Sequence, residues 1–373
     1  MHSSPLTAMV FDTPIERFLH AVPKVELHCP LLGAVRHATF RELAARAARR
    51  AGAQGAPPPL TEAEADAFFI RGEKPVGVLR ALRALDSHLL ATPDDLHRIV
   101  HEYLEDAARH HVRYAEFFWN PTGTAEQSGM AYPVAVDAIV RAIRDAQADF
   151  GITGRLVAAI DREAPPRAAL EMVQWMVAHP REEVLGIGID YSEVNHPPED
   201  FAEAYAAARR AGLKTTAHAG EFGMPWTNVK TAVELLQVDR IDHGYTLVDA
   251  PPDDARALID TCNERGIVFT VVPTNSYYLR TLPRERWAQD HPIRRMPGLG
   301  IRVHPNTDDT TMHLVNPTQA WHMMLRDFGF SVDDLRGFMD NGLASAWIDE
   351  GTRRAWRAEH LAAFDALRAA HGV

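Results

Sequence analysis

Residues 214–221 read K-T-T-A-H-A-G-E, a short run Lys214-Thr215-Thr216-Ala217 followed at once by His218, Ala219, Gly220 and Glu221. The run has the composition of a buried strand. It ends in an imidazole with a carboxyl three residues on, which puts a metal-type ligand and a proton carrier at one mouth. Ala219 and Gly220 leave room for a ligand to approach the backbone between them.

Outward from this stretch, short apolar runs alternate with helical sequence. Strands are predicted at 24–28, 112–119, 155–160, 184–189, 214–217, 240–242, 267–272 and 301–304. Helical spacing is predicted over 14–20, 40–50, 61–70, 93–111, 134–150, 166–178, 201–211, 227–236 and 252–265, and residues 51–59 (A-G-A-Q-G-A-P-P-P) read as a surface loop. Strict alternation predicts a parallel sheet with helical crossovers. Eight such units in 373 residues predict an α/β fold of the (β/α)8 barrel type. It is read as a single domain over residues 1–373, with a helical insertion between strands one and two. No glycine-rich phosphate fingerprint follows strand one, which disfavours a dinucleotide-binding sheet.

Composition narrows the partners. The chain is 46% hydrophobic and 24% charged, as soluble globular proteins are. A net charge of −11 argues against nucleic acid as a main partner. There is no apolar run of membrane-spanning length, and Met1-His2-Ser3-Ser4-Pro5 does not open like a signal peptide. Two cysteines, Cys29 and Cys262, are too few for a disulfide framework. The expected setting is therefore cytoplasmic, with reduced thiols. The expected partners are a small molecule and, at most, further copies of this chain.

A barrel places its chemistry at the C-terminal ends of its strands. Polar residues gather at those ends: His28, Glu116, Asp161, then Asp190, Ser192 and Glu193, then His218 and Glu221. Asp242 and His243 end strand six, Asn275 follows strand seven, and Asn306, Asp308 and Asp309 follow strand eight. His28, His218 and Asp308 offer the imidazole and carboxylate donors of a borderline divalent cation such as Zn2+. Three protein ligands leave a position for a water whose pKa falls on the metal. Glu221 and His243 are the candidate proton carriers, and Asp242 reads as an anchor for a ligand histidine or a loop. Trp119, Phe222 and Trp226 are candidates for the pocket wall or for the core.

Several motifs in order, P-K-V-E-L-H at 23–28, T-A-H-A-G-E at 216–221, R-I-D-H-G at 240–244 and N-T-D-D at 306–309, resemble the metal-dependent adenosine and adenine deaminases of the amidohydrolase superfamily. The resemblance covers essentially the whole chain. V-R-Y-A-E-F-F at 112–118 and G-I-D-Y-S-E-V-N-H-P-P at 188–198 are more similar to the adenine-deaminase branch. It implies hydrolytic removal of an exocyclic amine from a purine or related heterocycle by metal-activated water. It further implies His28, His218 and Asp308 as metal ligands, with Glu221 protonating the ring nitrogen. His243 would orient or deprotonate the water, and Asp309 would hold the five-membered ring side. Asp190, Ser192, Glu193 and Gly220 are the expected further substrate contacts.

The chain departs from that family at strand one. The family pattern H-x-H-x-D/E-G here reads His28-Cys29-Pro30-Leu31-Leu32-Gly33, so Pro30 replaces a ligand histidine and Leu32 an acidic substrate contact. Thr310 stands where a proline usually follows N-T-D-D. Cys29 points to the other face of its strand, His304 lies two pleats below Asp308, and His313 sits on a loop able to fold back. Three functions are compatible with this pattern: a three-ligand aminohydrolase, a repurposed metal-independent enzyme on the same barrel, and a non-catalytic purine-binding protein.

Overall fold

A computed structural model describes residues 11–67, 78–221, 223–275, 282–283 and 285–373. It contains eight parallel strands paired in sequence order: β1 (Lys24–Glu26), β2 (Val112–Trp119), β3 (Thr153–Asp161), β4 (Val184–Asp190), β5 (Lys214–Ala219), β6 (Arg240–His243), β7 (Phe269–Val271) and β8 (Val303–Pro305). Helices follow the strands, so each strand is covered outside and feeds a loop at one end, as the predicted (β/α)8 barrel requires. Among the described residues no helix is long and apolar enough to cross a membrane.

Helix starts follow local chemistry. Thr92 and Asn316 each accept the N3 backbone N–H and are answered by the N3 side chain, while a proline at N1 supplies a preset φ. The insertion between β1 and β2 is helical at His37–Ala53, Glu62–Ala67 and Val78–Ala84. The first of these runs into the stretch read as a loop, because Ala51–Ala53 continue the helical spacing. The predicted helix over 61–70 is seen only to Ala67, its remainder lying outside the described residues.

Two strand ends differ from expectation in ways that matter. β5 extends two residues further, to Ala219, so His218 sits inside the strand, fixed by its neighbours. β1 stops at Glu26 rather than His28, since the backbone beyond it bonds to the far end of the chain instead of to a ladder. Among the described residues no ladder joins β8 to β1. The seam closes through single bonds. Leu27 N donates to Asn306 Oδ1 (2.8 Å), Thr307 N to Glu26 Oε1 (3.0 Å), and Asp308 N to His28 O (3.0 Å). His304 bridges the carbonyls of Val25 and Phe338 at 3.0 and 2.9 Å. Both its ring nitrogens are occupied there, deep in the barrel, so it is not a replacement metal ligand.

Candidate active site

The C-terminal mouth of the barrel gathers three imidazoles, His28, His218 and His243, all buried, with ring centroids 4.6, 4.7 and 4.8 Å apart. Their outer partners set them. Asp242 lies 3.3 Å from His218 Nδ1 and 3.9 Å from His28 Nδ1, and accepts hydroxyl bonds from Thr216 (2.8 Å) and Thr270 (2.6 Å). Facing two histidines and Arg240, its carboxyl is held far below the usual carboxylate range despite full burial. Asp242 therefore sits behind the imidazoles, as its sequence context suggested.

Asp308 Oδ1 is 4.0 Å from His28 Nε2. Burial, with Asp309 next to it, pushes its pKa up to about 8. Glu221 is raised well above the carboxylate range, first by burial and then by Asp308, although a bond from Asn275 Nδ2 to its Oε1 (2.9 Å) works the other way. Its other oxygen lies 3.6 Å from His243 Nε2. Burial drives both His28, to about 4, and His243 below the ordinary imidazole value. Burial thus favours the protonated form of Glu221 and the neutral forms of His28 and His243.

The backbone carries strain here. His243 and Asp308 have φ of 68° and 58°, in the left-handed region. Non-glycine residues held there cost about 1 kcal/mol or more and cluster at functional sites. Gly33 has a different reason to be glycine: a Cβ there would lie 1.7 Å from Asp309 Oδ1.

The pocket is lined by Pro30, Leu32, Leu79 and Leu82 on an apolar side. Across it stand Asn120, Asp190, His218, Glu221, Asn275, Asp308, Asp309 and His313. Asp190 accepts from Asn120 Nδ2 (2.7 Å), and burial raises its pKa to about 8; Asp309 is raised to about 7 for the same cause. Leu79 and Leu82 come from the helical insertion, which therefore forms one wall.

Not every expected residue reaches this pocket. Glu193 is turned away from it, with its two oxygens accepting Gly220 N (2.9 Å), Glu221 N (3.1 Å) and Asn228 Nδ2 (2.7 Å). It shapes the turn that presents Glu221. Ser192 is likewise outside the lining, its N–H directed to Glu163, and Gly220 supplies the turn itself at φ 68°. Glu116 is buried in a pair with Arg240 (2.6 Å) and also accepts from Tyr114 and Trp347 N. Asp161 pairs with Arg83 of the insertion. Cys29 points away, its thiol against the Pro30 carbonyl. Trp119 is in the core with its indole N–H on Thr124, Trp226 packs half-buried on the core, and Phe222 lies outside the described residues. Tyr245, Thr270 and Asn120 carry no motif, and only Asn275, by its place after strand seven, was marked by position.

A (β/α)8 barrel with imidazoles and carboxyls converging at its C-terminal mouth is the architecture of the amidohydrolase superfamily. A profile of the adenosine deaminase family matches residues 23–361, and the chain belongs to that family. An amidohydrolase from Burkholderia ambifaria, solved with bound Zn, superposes with a TM-score of 0.90 at 58% identity, covering 98% of this chain and 97% of that one. The adenine deaminase of Arthrobacter aurescens superposes with a TM-score of 0.78 at 26% identity, covering 91% and 98%. An adenine deaminase of Vibrio parahaemolyticus is 29% identical over 354 residues, 91% of this chain and 95% of its own.

Proposed function

We propose that this protein hydrolytically deaminates a purine base or closely related heterocycle, in a site that holds one divalent metal ion, Zn2+ by donor chemistry. The observation that carries the reading is the convergence of His28, His218, His243, Glu221, Asp308 and Asp309 at one mouth. The donor set fits a metal: the Nε2 atoms of His28 and His218 stand 3.1 Å apart, and His243 Nε2 is buried with no hydrogen-bond partner. Imidazole nitrogens and an Asp308 oxygen are the donors zinc prefers. When bound, the metal supplies Lewis-acid lowering of a water pKa toward neutrality.

The chain's own residues supply the rest. Water adds to the ring carbon that bears the amine, and the amine leaves as ammonia. Glu221 Oε2 delivers a proton to the adjacent ring nitrogen, because Asn275 already occupies Oε1. Asp308 and His243 are the candidate bases to take a proton from the water and return one to the departing amine. Asp309, with a buried Oδ1 that has no partner, and Asp190 face the opposite end of the substrate. The apolar wall of Leu32, Leu79 and Leu82 offers nothing to a ribose hydroxyl, which favours a free base over a nucleoside.

The absence of a donor at Pro30 is the observation that favours a metal-independent alternative. Purified protein should contain about one zinc per chain and convert adenine with release of ammonia. Protein that, after zinc loading, neither retains metal nor releases ammonia from any purine tested would overturn the reading.

A further inference from the structure

Pro30 removes an imidazole from the expected ligand set, and nothing adjacent restores it. Cys29 faces the other way, and both ring nitrogens of His304 are engaged by carbonyls. His313, with Nδ1 on Thr274 Oγ1 (3.2 Å) and Nε2 4.0 Å from Asp309, groups with Asp308 and Asp309 rather than with His28 and His218. Among the described residues, the one triplet of imidazoles whose donor atoms all fall within 4.8 Å of one another is His28, His218 and His243.

The groups around these rings set their orientation. Thr270 Oγ1 has a single proton, and its shortest contact is to Asp242 Oδ1 at 2.6 Å, so it accepts from His28 Nδ1 at 3.0 Å. His218 Nδ1 lies 3.3 Å from an oxygen of Asp242. Tyr245 Oη accepts from Val272 N (2.9 Å) and stands 3.2 Å from both the Val272 carbonyl and His243 Nδ1. Each imidazole is therefore met on its Nδ1 side by an outer group and turns its Nε2 towards the mouth. The Nε2 atoms of His28 and His218 stand 3.1 Å apart, an approach that a shared proton or a cation bridges. Three converging imidazoles, each with an outer group behind it, are an arrangement that could hold a metal ion.

Resting on the metal-dependent reading above, we propose that His243 is the third imidazole ligand of this chain's metal ion, taking the place left by Pro30. Its lone pair is then committed to the metal, and Asp308 is left as the base for the water. The ligand shell becomes His28, His218, His243 and, through one oxygen, Asp308.

The test is metal binding by the intact chain, read by zinc stoichiometry and competition with a chromophoric chelator, and by the visible spectrum of the Co2+-substituted protein. His243→Gln should lower zinc affinity by about 100-fold or more, a larger loss than removal of a histidine's outer partner. It should also change the cobalt spectrum. Pro30→His in the His243→Gln background should restore most of that affinity, which separates a lost ligand from a damaged fold. If His243→Gln keeps the parent affinity and cobalt spectrum, the proposal fails while the metal-dependent reading stands. If the parent chain takes up no zinc or cobalt at all, both fail together.

Discussion

The side-chain nitrogen of Asn275 donates to Oε1 of Glu221 across 2.9 Å, and this bond decides which carboxyl oxygen bears the proton. Oε1 is occupied as an acceptor, which leaves Oε2, 3.6 Å from His243 Nε2, to carry the acidic hydrogen. Glu221→Gln keeps size and the Asn275 bond but removes the acid. The expected result is a 100- to 10,000-fold fall in kcat, the usual range for a lost general acid, with zinc content unchanged. Turnover is followed by loss of adenine absorbance, and a variant retaining parental kcat would remove Glu221 from the chemistry.

Glu193 should prove structural. Its two oxygens receive three N–H groups from the Gly220–Glu221 turn and Asn228. Glu193→Gln replaces one acceptor by an NH2 that faces a donor. Leaving a buried donor unmatched costs about 1–3 kcal/mol. Urea unfolding should show that loss, and kcat should drop with it because Glu221 is no longer held. Full activity with full stability would show that the turn needs no anchor.

Substrate range should respond to Leu32. It lines the pocket wall where an acceptor is missing. Leu32→Asp is expected to raise the ratio of kcat/KM for adenosine over adenine by about 10- to 100-fold, the worth of one hydrogen bond to a charged group. The comparison requires both substrates on both proteins, and an unchanged ratio would move the ribose side of the pocket elsewhere.

Acid sensitivity should trace partly to His291, which packs against Tyr245 at a ring separation of 5.2 Å. Its Nδ1 accepts from Ile293 N (3.2 Å), and burial pulls its pKa from 6.5 down to about 3. Below pH 6.5 the unfolded chain takes up a proton here that the folded chain refuses until about pH 3. Stability is therefore complete above that window and is lost as pH falls through it, by at most about 1.4 kcal/mol per pH unit for one group. His291→Asn keeps an acceptor for Ile293 and should flatten the acid limb of the urea midpoint between pH 6.5 and 4. An identical slope in the variant would assign the acid sensitivity to other groups.

The alternation of short apolar runs with helices was legible because each β/α unit is local, and the positions after strand ends followed from the barrel. His28, His218, Glu221, His243, Asp308 and Asp309 could be marked in this way. What each carboxyl does could not. Glu193 and Asp190 stand three residues apart after the same strand, yet one faces the pocket and the other holds a turn 27 and 28 residues further on. Thr270 and Tyr245 look like ordinary strand and turn residues, and only the assembled mouth shows that they orient imidazoles. The positive φ at His243 and Asp308 has no local sequence signal, since neither residue is glycine. The early end of β1 depends on Asn306, 279 residues away from the Leu27 amide it receives.

That seam bears on how the protein is made. Leu27, Glu26 and His28 near the start of the chain meet Asn306, Thr307 and Asp308 near its end, across single bonds rather than a ladder. A nascent chain that has emerged only as far as β7 can pair seven strands and bury most of its apolar surface, yet it holds His28 without Asp308. Joining segments this far apart carries the largest loop-closure cost in the sheet, so it is expected to come last. The mouth is thus assembled only once residues 306–308 have been made, and a product cut short before them lacks Asp308.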